Sequence, residues 1–206
     1  MSRLKGLSSK EKRKIGLIIS LLITSFGLVP HIILTVLSHS NQSYTIEPIS
    51  LESSKGIYIS AWKYTPTGEK NQGGIVVGHY LSGSKLHMHP LSSELAKQGF
   101  TVINIDFRGH GASGGTLGRG FESDMNSAID YLKNNVPSIT EIGLIGHSYG
   151  GKIASKLAIS RSSEINATVV IGRVPHDVTN ISNLLVAVGT YEPALTENDI
   201  FKFLRL

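Results

Sequence analysis

Short apolar runs, each halted by a glycine-rich or polar turn, recur along the chain from Tyr44 onward. Tyr44 to Leu51 and Ile57 to Tyr64 alternate apolar and polar residues around a turn at Ser53 to Gly56, which predicts an antiparallel hairpin. After a turn-rich break over Pro66 to Gly74, Ile75, Val76 and Val77 run on without a polar residue, as in a strand covered on both faces. The pattern then settles into strand, loop, helix. Leu91 to Gln98 has helical spacing and stops at Gly99, Thr101 to Ile105 reads as a buried strand, and Met125, Ala128, Ile129 and Leu132 mark one face of a helix. Ile142 to Ile145 is the next strand, and Ile153, Ala154, Leu157 and Ala158 follow at helical spacing. Ala167 to Ile171 and Leu184 to Val188 repeat the strand signal. Strands alternating with helices need crossover connections, so the predicted class is α/β, a mostly parallel sheet with flanking helices. In such sheets chemistry gathers at the C-terminal ends of the strands.

Three of those ends carry unusual loops. After the strand at Ile75 come Gly78 to Ser84, small and flexible; after Ile105 come Asp106 to Gly114; and after Ile145 comes Gly146-His147-Ser148-Tyr149-Gly150. A serine in a tight strand-to-helix turn, with glycine two residues to either side, has its hydroxyl thrust out above the sheet edge. The alternative is a glycine-rich turn whose serine only caps the helix. The middle loop holds Gly109, Gly111 and Gly114 in a Gly-x-Gly-x-x-Gly spacing, which raises a dinucleotide site. That motif works by opening a helix onto the pyrophosphate, whereas here glycines continue through Gly115, Gly118 and Gly120 before any helical pattern, which argues against it.

Charge is distributed unevenly. Of 20 basic and 15 acidic residues, six basic side chains and Glu11 lie in the first fourteen positions, leaving 14 of each sign in the other 192. A neutral body with a basic tip lacks the charged folded face that a nucleic-acid surface needs. Residues 1–14 therefore read as a basic cytoplasmic tail. Ile15 to Leu37 follows without an acidic, lysine or arginine side chain, close to the roughly 20 apolar residues that span a bilayer. The expected arrangement is a single-pass membrane protein, with its N-terminus in the cytoplasm, a linker at 38–43, and the body, 44–206, outside. Pro30 and His31 interrupt the run, and a cleaved signal peptide ending near Ser38 or Ser40 is the rival reading, although its apolar core would be shorter. The chain has no cysteine, which is compatible with export.

Taken together, His79 to Ser84, Asp106-x-Arg108-Gly109-His110-Gly111-x-Ser113 and Gly146 to Gly150 resemble the three signature segments of α/β-hydrolases, in particular the serine aminopeptidase and monoacylglycerol lipase-like branch, in order and separation. The resemblance covers about Ile57 to Glu192. It implies an α/β-hydrolase fold and a serine hydrolase acting on an ester, lipid or peptide substrate, without metal or organic cofactor. Ser148 takes the place of the nucleophile, and the backbone N–H groups of Tyr149 and Leu81 take the places of the oxyanion donors. Tyr80 departs from the family, which has glycine after this histidine. Glu192, in Gly189-Thr190-Tyr191-Glu192, fits the spacing of the acid; its other reading is a solvated loop glutamate before Pro193.

The base is harder to place. The resemblance puts it after one further strand, and Thr196 to Leu206 reads only as the start of a helix. The expectation is therefore an incomplete α/β-hydrolase domain, lacking the last strand and helix, from a truncated or interrupted reading frame; the alternative is a catalytically inactive, membrane-anchored binding module. His176, beside Asp177, is the only late histidine and a candidate substitute. His79 and His110 occupy positions that resemble loop-bracing histidines, and His147 reads as packing within the turn. His87 and His89 have metal-ligand spacing, but no third ligand is suggested and helix entry is the simpler reading.

Overall fold

The computed structural model describes residues 43–68, 73–172, 181 and 183–187. The antiparallel pair leads the chain: β1 (Tyr44–Ser53) and β2 (Ile57–Pro66), in register from Tyr44 opposite Pro66 to Ser53 opposite Ile57. There follow β3 (Gly74–Gly78), α1 (His89–Lys97), β4 (Thr101–Ile105), α2 (Phe121–Asn135), β5 (Ile142–His147), α3 (Tyr149–Ser160), β6 (Ala167–Ile171) and β7 (Leu184–Ala187). They form one seven-stranded sheet in the order β1-β2-β4-β3-β5-β6-β7. β2 runs antiparallel to β4, and the pairs β3–β4, β3–β5, β5–β6 and β6–β7 are parallel. The predicted hairpin and parallel sheet are both present.

The period of two in a strand explains how the core divides. Val76 and Ile103 pack with Met125, Ile129 and Leu132 of α2 and with Ile153 and Leu157 of α3. Ile75, Val77 and Val102 point the other way, into a cluster with Tyr64, Met88 and Ala96 that α1 covers. All five residues of β3 and all five of β4 are buried, which is why neither shows apolar–polar alternation. Helix α1 starts two residues earlier than its apolar spacing indicates, because Pro90 sits in the first turn, where its missing N–H leaves no hydrogen bond unmade.

The order of the middle strands sets up the site. β3 lies between β4 and β5 and is parallel to both, so the loops after β3, β4 and β5 emerge together at one edge of the sheet. The span expected at Ile15 to Leu37 lies outside the described residues; among the described residues no helix is long and apolar enough to cross a membrane.

Candidate active site

Ser148 follows β5 directly, with φ 52° and ψ −107°, and is followed in turn by α3. Positive φ is costly for a residue with a Cβ, on the order of 1–3 kcal/mol, and persists only where the surroundings impose it. Here the Ser148 N–H donates to the Ile171 carbonyl at the end of β6 (2.7 Å), and the Ser148 carbonyl accepts from the Lys152 N–H (3.1 Å). The glycines make the turn possible. A Cβ on Gly146 would stand 2.2 Å from the Gly150 carbonyl carbon, and one on Gly150 would stand 2.4 Å from the Gly78 carbonyl oxygen. Helix α3 therefore starts jammed against the ends of β3 and β5. Ser148 occupies the N-cap position of α3, but its side chain makes no capping bond, so the hydroxyl is not spent on the helix end.

The loop after β3 is held by a histidine. His79 is fully buried, with Nδ1 2.6 Å from the Tyr80 carbonyl and Nε2 accepting from the Phe107 N–H at 3.0 Å. A carbonyl can only accept, so Nδ1 carries the proton and the ring is neutral. Burial holds the His79 pKa down at about 4, against an opposing pull from the Tyr80 carbonyl. That carbonyl also accepts from the Gly83 N–H (2.8 Å). It shares a trans peptide plane with the Leu81 N–H, so two donors on its oxygen fix the direction in which that N–H points. Leu81 itself is exposed. The Tyr80 ring stands 5.0 Å from the His147 ring and 5.5 Å from the His87 ring and lies over Gly83, bringing the loop after β3 against the serine turn.

The loop after β4 is braced by two buried ion pairs. The Asp106 carboxylate pairs with Lys85 Nζ and accepts from the N–H groups of Lys85 (2.7 Å) and Ala112 (3.0 Å). Lys85 Nζ also donates to Ser60 Oγ (2.9 Å) and lies 5.2 Å from the Trp62 ring centre. A Cβ on Gly111, which has φ +51°, would fall 2.0 Å from an Asp106 oxygen. The glycines of this loop thus let the backbone wrap a carboxylate, and the next helix opens only at Phe121, so the dinucleotide reading has no support. Arg108 donates from Nε and Nη2 to Asp124 on α2 (2.6–3.0 Å) and from Nη2 to Ser53 (3.0 Å). His110 bridges the two loops: Nδ1 is 3.0 Å from the Arg108 carbonyl, and Nε2 contacts the Leu81 carbonyl.

The structure brings the segments of Ser148, Tyr149 and Leu81 to one sheet edge, with His79 and His110 bracing as their positions suggested. Glu192 and His176 lie outside the described residues. His87 Nδ1 faces the Ser84 N–H and hydroxyl (both 3.1 Å), and His89 Nδ1 faces the Tyr64 hydroxyl (2.8 Å). Among the described residues no group of three or more His, Cys, Asp or Glu could hold a metal. Lys85 and Asp124 are supporting residues that local pattern reading missed. Asp106 and Arg108, two charges inside a glycine-rich loop, were the available hint that buried counter-charges exist elsewhere.

Seven strands in this order, with a strained serine between β5 and α3, define an α/β-hydrolase. The family model described as "Serine aminopeptidase, S33" matches residues 69–186, more than half of the chain. The chain belongs to that family. It is 28% identical over 139 residues to a monoacylglycerol lipase of Mycolicibacterium smegmatis, covering 65% of this chain and 49% of that protein. It is 32% identical over 134 residues to the sn-1-specific diacylglycerol lipase ABHD11 of Danio rerio, covering 65% and 42%. Among solved structures, the Pyrococcus furiosus esterase Pf2001 superposes with TM-score 0.57 at 25% identity, covering 65% of this chain and 54% of that one. The chain thus spans about half the length of the curated relatives it matches.

Proposed function

We propose that the protein is a serine hydrolase that cleaves a carboxylic ester through an acyl-enzyme on Ser148. The observation that carries this reading is the Ser148 turn, at φ 52° with its side chain making no capping bond, at the edge where the braced loop after β3 meets it. In the proposed reaction Ser148 Oγ adds to the acyl carbonyl while its proton passes to a histidine and then to the departing alcohol. Water repeats the sequence on the acyl-enzyme and releases the acid. The N–H groups of Tyr149 and Leu81 receive the charge that develops on the carbonyl oxygen. Tyr149 is well suited, because it opens α3 and the first N–H groups of a helix have no partner within it. Leu81 is suited by the double anchoring of the Tyr80 carbonyl.

Glu192 is the proposed acid and His176 the base candidate this chain offers. The chemistry calls for no metal or organic cofactor. An ester, including a lipid ester, is the substrate class favoured by relatives named as lipases and an esterase, with an amide bond as the other class this machinery cleaves. Membrane attachment belongs to the same proposal and rests on the apolar run at Ile15 to Leu37 behind a basic tail. Turnover of p-nitrophenyl esters of increasing chain length by the full chain tests the reading. Loss of at least about a thousandfold in kcat in Ser148→Ala is expected, and equal turnover by both proteins would overturn it.

A further inference from the structure

The proposed reaction leaves the ring of Tyr80 without a task, although the ring stands beside the reacting groups. The reacting carbonyl has to meet Ser148 Oγ and the Leu81 N–H together, within about 3 Å of each. Tyr80 and His147 are the residues immediately before those two, and their rings meet edge to face with centres 5.0 Å apart. The pair therefore walls one side of the gap in which the carbonyl would sit. That side is the one α1 covers. Ile145, two residues before His147 in β5, belongs to the cluster under α1, and His87, the next ring at 5.5 Å from Tyr80, stands two residues before α1 begins. Gly83 provides the seat: a Cβ there would lie 3.1 Å from two carbons of the Tyr80 ring, so the glycine leaves the ring room to lie across the loop.

The opposite side is also walled by rings. Tyr149 meets Phe121 at 5.4 Å, Phe121 stacks on Phe107 at 5.1 Å, and both phenylalanines are buried. The two walls differ in what backs them. Behind Tyr149 lies the core, whereas behind Tyr80 lies His87, an exposed residue.

We propose that Tyr80 is a specificity-determining residue: its ring closes the α1 side of the site and limits how far the arm of the ester lying there extends. This rests on the reading of Ser148 as nucleophile and Leu81 as oxyanion donor, and adds which esters that site admits. A small residue at position 80 would leave a space the size of a phenol ring, open toward His87. With the ring in place, a chain on that side gains nothing by growing longer, because further methylenes meet a filled wall. The substrate class is an ester with one short arm, acyl or alcohol, and the other arm is not restricted by Tyr80. Tyr80→Ala vacates the space without the backbone freedom that glycine would add, and opens it toward an exposed residue instead of hollowing the core.

The test compares wild type, Tyr80→Ala and Tyr80→Phe as full chains on two ester series. p-Nitrophenyl esters from acetate to octanoate lengthen the acyl arm, and acetates of ethanol to octanol lengthen the alcohol arm. The measure is the ratio of kcat/KM for the longest to the shortest member within one protein, in which any general loss of activity cancels. A buried methylene is worth about fourfold, so in one of the series the ratio should rise at least about tenfold in Tyr80→Ala and stay within about twofold of wild type in Tyr80→Phe. Ratios unchanged by Tyr80→Ala in both series would overturn the proposal, and so would an equal rise in Tyr80→Phe, which keeps the ring. Binding separates this role from the chemistry. In the Ser148→Ala background, calorimetry with straight-chain carboxylic acids and alcohols should show the same gain with chain length when Tyr80→Ala is added, whether or not the wild type turns over any ester. A wild type that hydrolyses nothing would remove the nucleophile reading alone. Equal chain-length dependence with and without Tyr80→Ala, or binding of no acid or alcohol by either protein, would remove the role of Tyr80.

Discussion

Acidification should loosen this protein through His79. Buried with no proton to spare, its imidazole has a pKa of about 4, against 6.5 for a free side chain. Folding therefore depresses the affinity for a proton, and the sign follows: stability from this group is complete above about pH 6.5 and is lost as pH falls toward 4, because the unfolded chain binds a proton that the native site refuses. At pH 5 the unfolded histidine is protonated and the native one is not, so about 1.5 units of pH at 1.36 kcal/mol each gives a loss of about 2 kcal/mol, levelling near 3 below pH 4. The charge would also cost the Phe107 N–H its acceptor, uncoupling the loops after β3 and β4. Urea unfolding of wild type and His79→Gln at pH 7.5 and pH 5.0 isolates the effect, since other titrating groups cancel between the two proteins. The wild type should lose about 2 kcal/mol more than the variant. Equal losses would refute the assignment of a neutral, buried His79.

Two further substitutions probe the scaffold under the site. Gly146→Ala places a Cβ 2.2 Å from backbone of Gly150, which cannot move aside as a side chain could, so it should destabilise the fold by several kcal/mol and shift the thermal midpoint down by more than about 5 °C. Asp124→Ala leaves the buried Arg108 guanidinium unpaired and should cost about 3–5 kcal/mol in urea unfolding, whereas Glu122→Ala, which breaks only the exposed pair with Lys156, should stay within about 1 kcal/mol of wild type.

What could be read without coordinates follows from the range of each constraint. Ile75 to Val77 and Thr101 to Ile105 betray their burial by composition alone, and Gly146, Ser148 and Gly150 encode a steric demand within five residues. Long-range polar partners leave no such trace. Asp106 meets Lys85 across 21 positions and Arg108 meets Asp124 across 16, and a lysine in a polar loop reads as solvated until the fold buries it. The bracing by His79 and His110 is equally hidden, because it depends on which way four backbone groups point. The course of the chain around Tyr80 was also open: its ring is accommodated sideways, between His147 and His87. Glu192 and His176 stay as sequence-based proposals.

The central claim is that Ser148 is a nucleophile, and covalent trapping tests it most directly. Treatment of the full chain with a fluorophosphonate, followed by intact-mass measurement and peptide mapping, should show a single adduct on Ser148 and none in Ser148→Ala. An adduct of equal extent in both proteins, or one mapped to another serine, would contradict the account.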